Sequence, residues 1–299
     1  MLIELPRRLD RTSVNELMSL VIDEDRKPKS KELIFDFSQL GFIEPAGITS
    51  LGNLFEWLEI KKHEATIFYP KEFGHKRHCP IKYLDDSGFF LKHLGYLLDE
   101  SSRVRPTTIQ LQNITYDNSY SWLKGKFIPW LSEQIKVKEK TLASIDICIG
   151  EIFNNIRDHS FEKIGCIYAQ HFPNKNILTF SISDFGVGIP HNIRKVKTEL
   201  NDAEALELSV QEGFTTGSTK RNLGAGLHTL IMSVVNKSKG SIHIHSGFGI
   251  LNANYVNDSI KITTSLSSGY YPGTFLDVNI DTSIIIEEDQ HDDQEVFVW

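Results

Sequence analysis

The stretch Glu151-Ile-Phe-Asn-Asn155-Ile-Arg-Asp-His159 decides the fold prediction, and it closes a helical pattern that we predict over residues 142–159. Glu151 and Asn155 lie one helical turn apart, so a helix presents both side chains on one face. A carboxylate in that position can orient or deprotonate a nucleophile, and an amide oxygen can ligate Mg²⁺ among phosphate oxygens. For this pair taken alone, the alternative is a solvated polar face.

A second motif, Asp184-Phe-Gly-Val-Gly188, follows an apolar strand that we predict over residues 177–183. Its carboxylate can accept a hydrogen bond from an adenine amine, while Gly186 and Gly188 allow the backbone to approach a base closely. An ordinary turn between a strand and a loop is the alternative interpretation.

A third motif is a run of small, hydroxyl and basic residues before a helix that we predict over residues 223–235: Gly213-Phe-Thr-Thr-Gly-Ser-Thr-Lys-Arg-Asn-Leu-Gly-Ala-Gly226-Leu. Backbone amides at a helix N-terminus form a favourable site for anions. Lys220 and Arg221 can add positive charge for phosphate groups. A flexible surface loop is the alternative.

The order and spacing of these motifs resemble the ATP-binding fold of the GHKL class, which histidine kinases, gyrase-type ATPases, heat-shock chaperones and anti-sigma-factor serine kinases share. The resemblance covers residues 107–284 and includes a closing Gly273-Thr274-Phe element at the start of a late strand. It implies that Glu151 is the general base, Asn155 the Mg²⁺ ligand and Asp184 the reader of adenine. The other residues that it places around the ATP are Gly186, Gly188, Lys220, Arg221, Gly224, Gly226, Leu227 and Thr274.

The chain divides into three predicted parts. Residues 1–105 alternate strand, helix and strand at 33–37, 46–60 and 66–69, a βαβ pattern that implies a partly parallel sheet. Residues 106–284 are expected to form an α/β sandwich of the GHKL class, with helices on one face of a mixed sheet. Residues 285–299 are predicted to be an acidic, mobile tail. Within the second part, the polar stretch 190–219 is interpreted as a functional lid.

The first part resembles, more loosely, the STAS domains of anti-sigma-factor antagonists. The resemblance rests on a strand at Ile34-Phe-Asp-Phe-Ser followed by Phe42-Ile-Glu-Pro-Ala-Gly47-Ile. That family carries a phosphate-accepting serine in the loop, whereas the loop here is Glu44-Pro45-Ala46-Gly47 and has no hydroxyl. Thr49 and Ser50 are expected within the following helix, where they are poorly placed to accept phosphate.

Composition excludes several classes of protein. With 299 residues, 40% apolar content and a net charge of −7, the chain has the composition of a globular protein of about two domains, without a general affinity for nucleic acid or anionic membrane. No apolar run approaches the ~18 residues that a membrane span needs. Cys79, Cys148 and Cys166 are odd in number and scattered, which argues against a disulfide framework and favours the cytoplasm.

The sequence leaves the reaction open. Glu151 would activate water in an ATPase, or a protein hydroxyl in a serine or threonine kinase that resembles anti-sigma factors. A non-catalytic interaction module gated by nucleotide is the alternative function. We expect an unidentified protein partner, of the STAS or sigma-factor-regulator type, and a homodimer. His243 and His245 alternate on one predicted strand and are expected to be surface or packed residues rather than metal ligands.

Overall fold

The computed structural model describes residues 1–23, 25–70, 79–159, 164–214 and 226–286. We call residues 1–105 the N-terminal half and residues 106–286 the C-terminal half. Both halves combine helices with sheets, which confirms the α/β class.

The described residues of the N-terminal half form two parallel sheets, one of three strands and one of two, and four helices. Its elements are β1 (Leu2–Glu4), β2 (Arg8–Leu9), α1 (Val14–Val21), β3 (Glu32–Asp36), β4 (Phe42–Ile43), α2 (Pro45–Ile60), β5 (Glu64–Phe68), α3 (Pro80–Asp86) and α4 (Phe89–Leu94). Strands β1, β3 and β5 form a three-stranded sheet in that order, with both pairs parallel. Helix α2 connects β3 and β5, so the predicted βαβ unit is confirmed.

The C-terminal half is built on a five-stranded sheet. Its elements are β6 (Thr108–Thr115), α5 (Tyr116–Trp122), α6 (Ile128–Ile135), α7 (Ala143–His159), β7 (Ile164–Phe172), β8 (Ile177–Asp184), α8 (Ile189–Arg194), α9 (Asp202–Ser209), α10 (Gly226–Ile231), β9 (Ser241–Val256) and β10 (Ser259–Asp281). A π-helical segment, Leu123–Phe127, joins α5 to α6, and a second one, Met232–Lys237, extends α10. The strand order is β6-β7-β8-β10-β9.

All four strand pairs in this sheet are antiparallel, so the expectation of a mixed sheet is wrong. For two of the pairs the reason is local, because β7 and β8, and likewise β9 and β10, are joined by short turns that can only connect antiparallel neighbours. The turn between β9 and β10 consists of Asn257 and Asp258, whose φ angles are both positive, at 50° and 58°. That conformation matches the twist of a hairpin, and these residue types tolerate it well.

The polar stretch 190–219 contains two short helices in its described part, α8 and α9. Helix α9 begins at a capping box. The side chain of Asn201 accepts hydrogen bonds from the backbone of Ala203 and Glu204, both at 3.0 Å, and Glu204 Oε2 accepts from Asn201 N at 2.8 Å. Capping chemistry, which a search for hydrophobic periodicity does not detect, therefore fixes this helix.

One face of the five-stranded sheet is apolar and packs against the helices of the C-terminal half. On β8 this apolar face presents Leu178, Phe180 and Ile182, all nearly inaccessible to solvent. They share a core with residues of α6, α7 and α10. The expected helical layer on this side of the sheet is therefore present.

The opposite face of the sheet is polar and is also buried. It presents Ser181, Ser183, His243, His245 and Asp277, which are covered by the N-terminal half. The covering element is α2, in which 13 of the 16 residues are buried, as expected for a helix enclosed between two sheets. Helices therefore cover both faces of the sheet, and the expectation of helices on one face only is corrected. The two histidines are packed residues, as expected.

The N-terminal half and this polar face share one hydrophobic core. Trp57 of α2 lies in the same buried cluster as Tyr168, Phe185, Tyr271 and Phe275 of the C-terminal half. The predicted tail, 285–299, lies outside the described residues from 287 onward, whereas Ile285 is buried in the core of the C-terminal half.

Candidate functional site

Asp184 is the last residue of β8 and lies at one end of the five-stranded sheet. Successive side chains of a strand alternate between faces, so Asp184 shares the apolar face with Ile182 and not the polar face with Ser183. Its side-chain oxygen Oδ1 accepts a hydrogen bond from the backbone N–H of Gly186 at 2.7 Å. In the register of the sheet its partner on β10 is Thr274. The structure thus brings together two residues predicted for the adenine pocket, 90 positions apart in the chain.

Two glycines keep the backbone close around Asp184. Gly273 has a φ of +84°, and a Cβ atom there would lie 2.3 Å from Asp184 O and 2.5 Å from Gly186 N. Gly188 has a φ of +81°, and its Cβ would lie 2.7 Å from Ser246 Oγ. Any side chain at either position would push the loop after β8 away from β10.

Burial raises the pKa of the Asp184 carboxyl to about 7, while the N–H groups of Gly186 and Thr274 and the charge of Arg26 lower it. The exposed fraction of Asp184 is only 7%. A buried carboxylate loses hydration, and a hydrogen-bond donor from a ligand compensates for that loss. Asp184 is therefore suited to accept a hydrogen bond from a buried amine.

Ser246 ties three segments of this corner together, and the sequence analysis did not identify it. Its hydroxyl donates to Gly273 O at 2.5 Å and accepts from the backbone N–H of Ile189 at 2.9 Å. Thr274 Oγ1 lies 3.4 Å from the same hydroxyl oxygen and is half-buried. The available signal was the Ser246-Gly247 pair that follows the alternating strand, because such pairs mark a change of backbone direction.

Glu151 and Asn155 lie on α7, the helix that the sequence predicts for them. The structure describes this helix at both residues through its backbone only. Helix α7 contacts β7 and also α10, the helix that begins at Gly226. It therefore belongs to the layer that covers the face of the sheet on which Asp184 lies.

The predicted phosphate loop is described only at its end. Lys220, Arg221 and Gly224 lie outside the described residues. Gly226 is the first residue of α10, and Leu227 is half-buried against the core of the C-terminal half.

Arg26 is a second residue that the sequence analysis missed. Although it belongs to the N-terminal half, its guanidinium donates to Gly186 O at 3.2 Å and to Val187 O at 3.0 Å. A single arginine in the polar stretch Asp23-Glu-Asp-Arg-Lys gives no sequence signal of such a contact.

The loop Glu44–Gly47, compared above with the STAS phosphate-accepting loop, has no hydroxyl side chain, and the hydroxyls that follow it in the chain are buried. Glu44 precedes α2, and Ala46 is buried at 1% exposure. Thr49 and Ser50 are completely buried, and Thr49 Oγ1 donates to Ser181 O on the polar face at 3.2 Å. The expectation that these hydroxyls are poorly placed to accept phosphate is confirmed.

No family model matches the chain, and a search of curated proteins finds no similar sequence. Across the described residues, no helix combines the length and apolar character required to cross a membrane. Nor do three or more His, Cys, Asp or Glu side chains cluster as a metal site in the part of the chain that the structure describes.

Proposed function

We propose that the chain is a Mg²⁺- and ATP-binding regulatory protein whose C-terminal half belongs to the GHKL class, with Asp184 as the reader of adenine. The observation that carries the proposal is the corner formed by Asp184, Gly186, Gly273 and Thr274. A buried carboxylate with one oxygen held by a backbone N–H lies there beside a half-buried hydroxyl residue. This donor and acceptor set fits the edge of an adenine, which offers an amine donor and ring-nitrogen acceptors.

The layering of the sheet supports the same proposal. Asp184 lies on the apolar face, and α7 and α10 pack over that face. A nucleotide bound at this end of the sheet would then contact Asp184 through its adenine and would also contact residues of α7 and α10. In this proposal Glu151 is the general base and Asn155 ligates Mg²⁺. Lys220, Arg221, Gly224 and Gly226 bind the phosphates beside Leu227. Bound Mg²⁺ would neutralise charge on the phosphate oxygens.

The nucleophile comes from outside the N-terminal half in this proposal. The loop at Glu44 has no hydroxyl, and Thr49 and Ser50 are buried against the sheet. Glu151 would therefore activate either water or the hydroxyl of a separate protein partner. We place the protein in the cytoplasm on the basis of its composition and its scattered cysteines.

The experiment measures ATP binding and phosphate transfer with purified protein. We expect the Asp184→Asn variant to bind ATP roughly 10- to 100-fold more weakly, because Gly186 N–H holds the amide oxygen and the remaining NH₂ group, a donor, then faces the adenine amine, which is also a donor. Asp277→Asn is the matched control. Asp277 is equally buried, but it lies on the polar face, so its replacement should leave ATP affinity unchanged.

Transfer is followed with γ-labelled ATP and Mg²⁺, with and without candidate partners, beside a Glu151→Ala variant. Release of free phosphate by the wild type that is lost in the Glu151→Ala variant indicates an ATPase. Label transferred to a partner protein indicates a kinase. ATP binding with neither product indicates a nucleotide-gated module. Wild-type protein that does not bind millimolar ATP would contradict the proposal as a whole.

A further inference from the structure

Arg26 joins the N-terminal half to the loop that follows Asp184. The two terminal nitrogens of its guanidinium donate to two successive carbonyl oxygens, Gly186 O at 3.2 Å and Val187 O at 3.0 Å. The third nitrogen, Nε, donates to the hydroxyl of Tyr270 on β10 at 3.1 Å. The planar guanidinium thus bridges the loop and the strand that lie on either side of the Asp184 corner.

The turn that carries Arg26 is itself fixed by hydrogen bonds. Asp23 N donates to Lys27 O at 2.9 Å, and Arg26 N donates to Asp23 O at 3.0 Å. The side chain of Asp23 also accepts from Lys27 N at 2.8 Å. Arg26 has a φ of +61°, an uncommon conformation for a residue other than glycine, which the surrounding turn has to hold in place. The guanidinium therefore extends from a defined position.

A second, independent contact links the N-terminal half to the same loop. The ring of Trp57 on α2 packs edge-on against Phe185, with centroids 5.7 Å apart. Phe185 in turn packs against Tyr271 at 5.9 Å. The residue immediately after Asp184 is thus held by α2, and the next two are held by Arg26.

We propose that Arg26 is a positioning residue for the adenine pocket and that it makes nucleotide affinity depend on the docking of the N-terminal half. The proposal rests on the proposed function. Its physical basis is that Gly186 contacts both partners, donating its N–H to Asp184 and accepting from Arg26 through its carbonyl. Removing the guanidinium leaves both loop carbonyls without this donor and loosens Gly186, the residue whose N–H orients the carboxylate.

The coupling between docking of the N-terminal half and nucleotide binding is reciprocal. If the docked N-terminal half strengthens nucleotide binding, bound nucleotide must strengthen docking by the same factor. A protein that binds the N-terminal half and displaces the turn at Arg26 would release the loop and weaken nucleotide binding. The N-terminal half then regulates the site without being phosphorylated itself.

The test compares Arg26→Ala, Arg26→Lys and a control, Lys27→Ala, by titration calorimetry with ATP and with GTP. Lys27 is the exposed neighbour of Arg26, and its ammonium pairs at the surface with Asp25 at 3.8 Å. We expect Arg26→Ala to bind ATP about 10-fold more weakly and to discriminate less between ATP and GTP, because a displaced Asp184 no longer reads the amine. Arg26→Lys keeps the positive charge but not the bidentate geometry, so its ATP affinity should lie between those of Arg26→Ala and the wild type. The ATP affinity of Lys27→Ala should equal that of the wild type.

The outcomes separate this proposal from the proposed function. If the wild type binds ATP and both Arg26 variants retain its affinity and its base selectivity, the positioning role is wrong and the proposed function stands. If the wild type binds no nucleotide, both fail together. Thermal unfolding without nucleotide shows whether each variant is folded. If the Arg26→Ala protein does not fold, the Arg26→Lys variant decides the test. The proposal then requires that Arg26→Lys discriminates less between ATP and GTP than the wild type does.

Discussion

The two faces of the five-stranded sheet are both buried against apolar cores, and on the polar face hydrogen bonds between the two halves add to the packing. On β8 the apolar face presents Leu178, Phe180 and Ile182 to helices of the same half. The polar face presents Ser181 and Ser183 to the N-terminal half, where they are completely buried. Dispersion and the hydrophobic effect stabilise the first contact, and specific hydrogen bonds between the two halves contribute to the second.

This difference bears on specificity. An apolar face accepts any cover of suitable shape, whereas each buried polar group needs a partner at a fixed place. Asn53 Nδ2 donates to Ser183 Oγ at 2.9 Å, and Ser183 Oγ lies 2.5 Å from Tyr271 OH. Thr49 Oγ1 of α2 donates to Ser181 O at 3.2 Å. The polar face is therefore matched to this particular N-terminal half.

The largest effect should come from the apolar face. Phe180→Ala removes a ring that is 1% exposed and packs against Phe127 with centroids 6.2 Å apart, so we expect it to reduce the free energy of unfolding by about 3–5 kcal/mol. Thr179→Ala, one residue away on the other face, loses the hydrogen bond to Asn279 and should cost about 1 kcal/mol. Urea unfolding measures both, and similar costs at the two positions would remove the contrast between the faces.

A smaller effect is the pH dependence of the free energy of unfolding that comes from two buried groups on the polar face. Burial lowers the pKa of His243 to about 4, whereas burial raises the pKa of Asp277, its register partner on β10, to about 6. Around them, Asn252 Oδ1 accepts a hydrogen bond from His243 Nδ1 at 2.8 Å, while Ser181 and Arg11 face Asp277.

The two groups change stability in opposite directions. The stabilising contribution of neutral His243 is present above pH 6.5 and is lost as the pH falls through about 4, whereas that of Asp277 is present below pH 3.8 and is lost as the pH rises through about 6. His243→Gln should therefore lose less stability than the wild type on acidification, and Asp277→Asn should lose less on moving to neutral pH. Each difference should reach roughly 2 kcal/mol in urea unfolding between pH 4.5 and 7.5. Parallel pH profiles for all three proteins would show that burial does not control these groups.

The smallest effect tests one hydrogen bond between the two halves. In a double-mutant cycle of Asn53→Ala and Ser183→Ala, we expect a coupling energy of about 1 kcal/mol, because their side chains contact each other directly. Asn53→Ala combined with Ser121→Ala, an exposed serine bonded within its own helix, should be additive. If the effects are additive in both pairs, the hydrogen bond between Asn53 and Ser183 does not stabilise the contact between the polar face and the N-terminal half.

Local patterns predicted most of the secondary structure. The βαβ unit of the N-terminal half, the helix that carries Glu151 and the strand that ends at Asp184 all follow from apolar spacing in the sequence. Helix α9 was missed because its capping box, not its periodicity, defines it. The antiparallel sheet was missed because a resemblance suggested the sheet type, while short hairpin turns determine only the β7–β8 and β9–β10 pairs.

Contacts between residues far apart in the chain could not be predicted from local sequence patterns. The alternation of Ser181 and Ser183 with apolar neighbours is typical of a strand with one solvated face, and nothing local shows that α2 covers that face. The adenine pocket was predicted at Asp184 and Thr274, which are register partners in the structure. Ser246 and Arg26 reach this corner only through tertiary packing: the Ser246-Gly247 pair indicates a change of backbone direction but not its partners, and no pattern around Arg26 indicates its contact.

Strand β10 limits how the length of this chain can change. It is a single strand of 23 residues, and it places Thr274 opposite Asp184 while Ser267, nearer its start, accepts a hydrogen bond from Asn15 of α1 at 2.9 Å. Between these two anchors the pairing of β10 with β9 shifts register twice, from Leu266 to Tyr271 and from Tyr271 to Thr274, so a residue inserted or deleted there has to be absorbed by one of these bulges. Insertions are accommodated at the exposed tip, Asn257 and Asp258, where no such anchor is crossed. Because one strand contacts α1 near its start and Asp184 further along, we expect a change of length between these two anchors to disturb both the contact between the halves and the site.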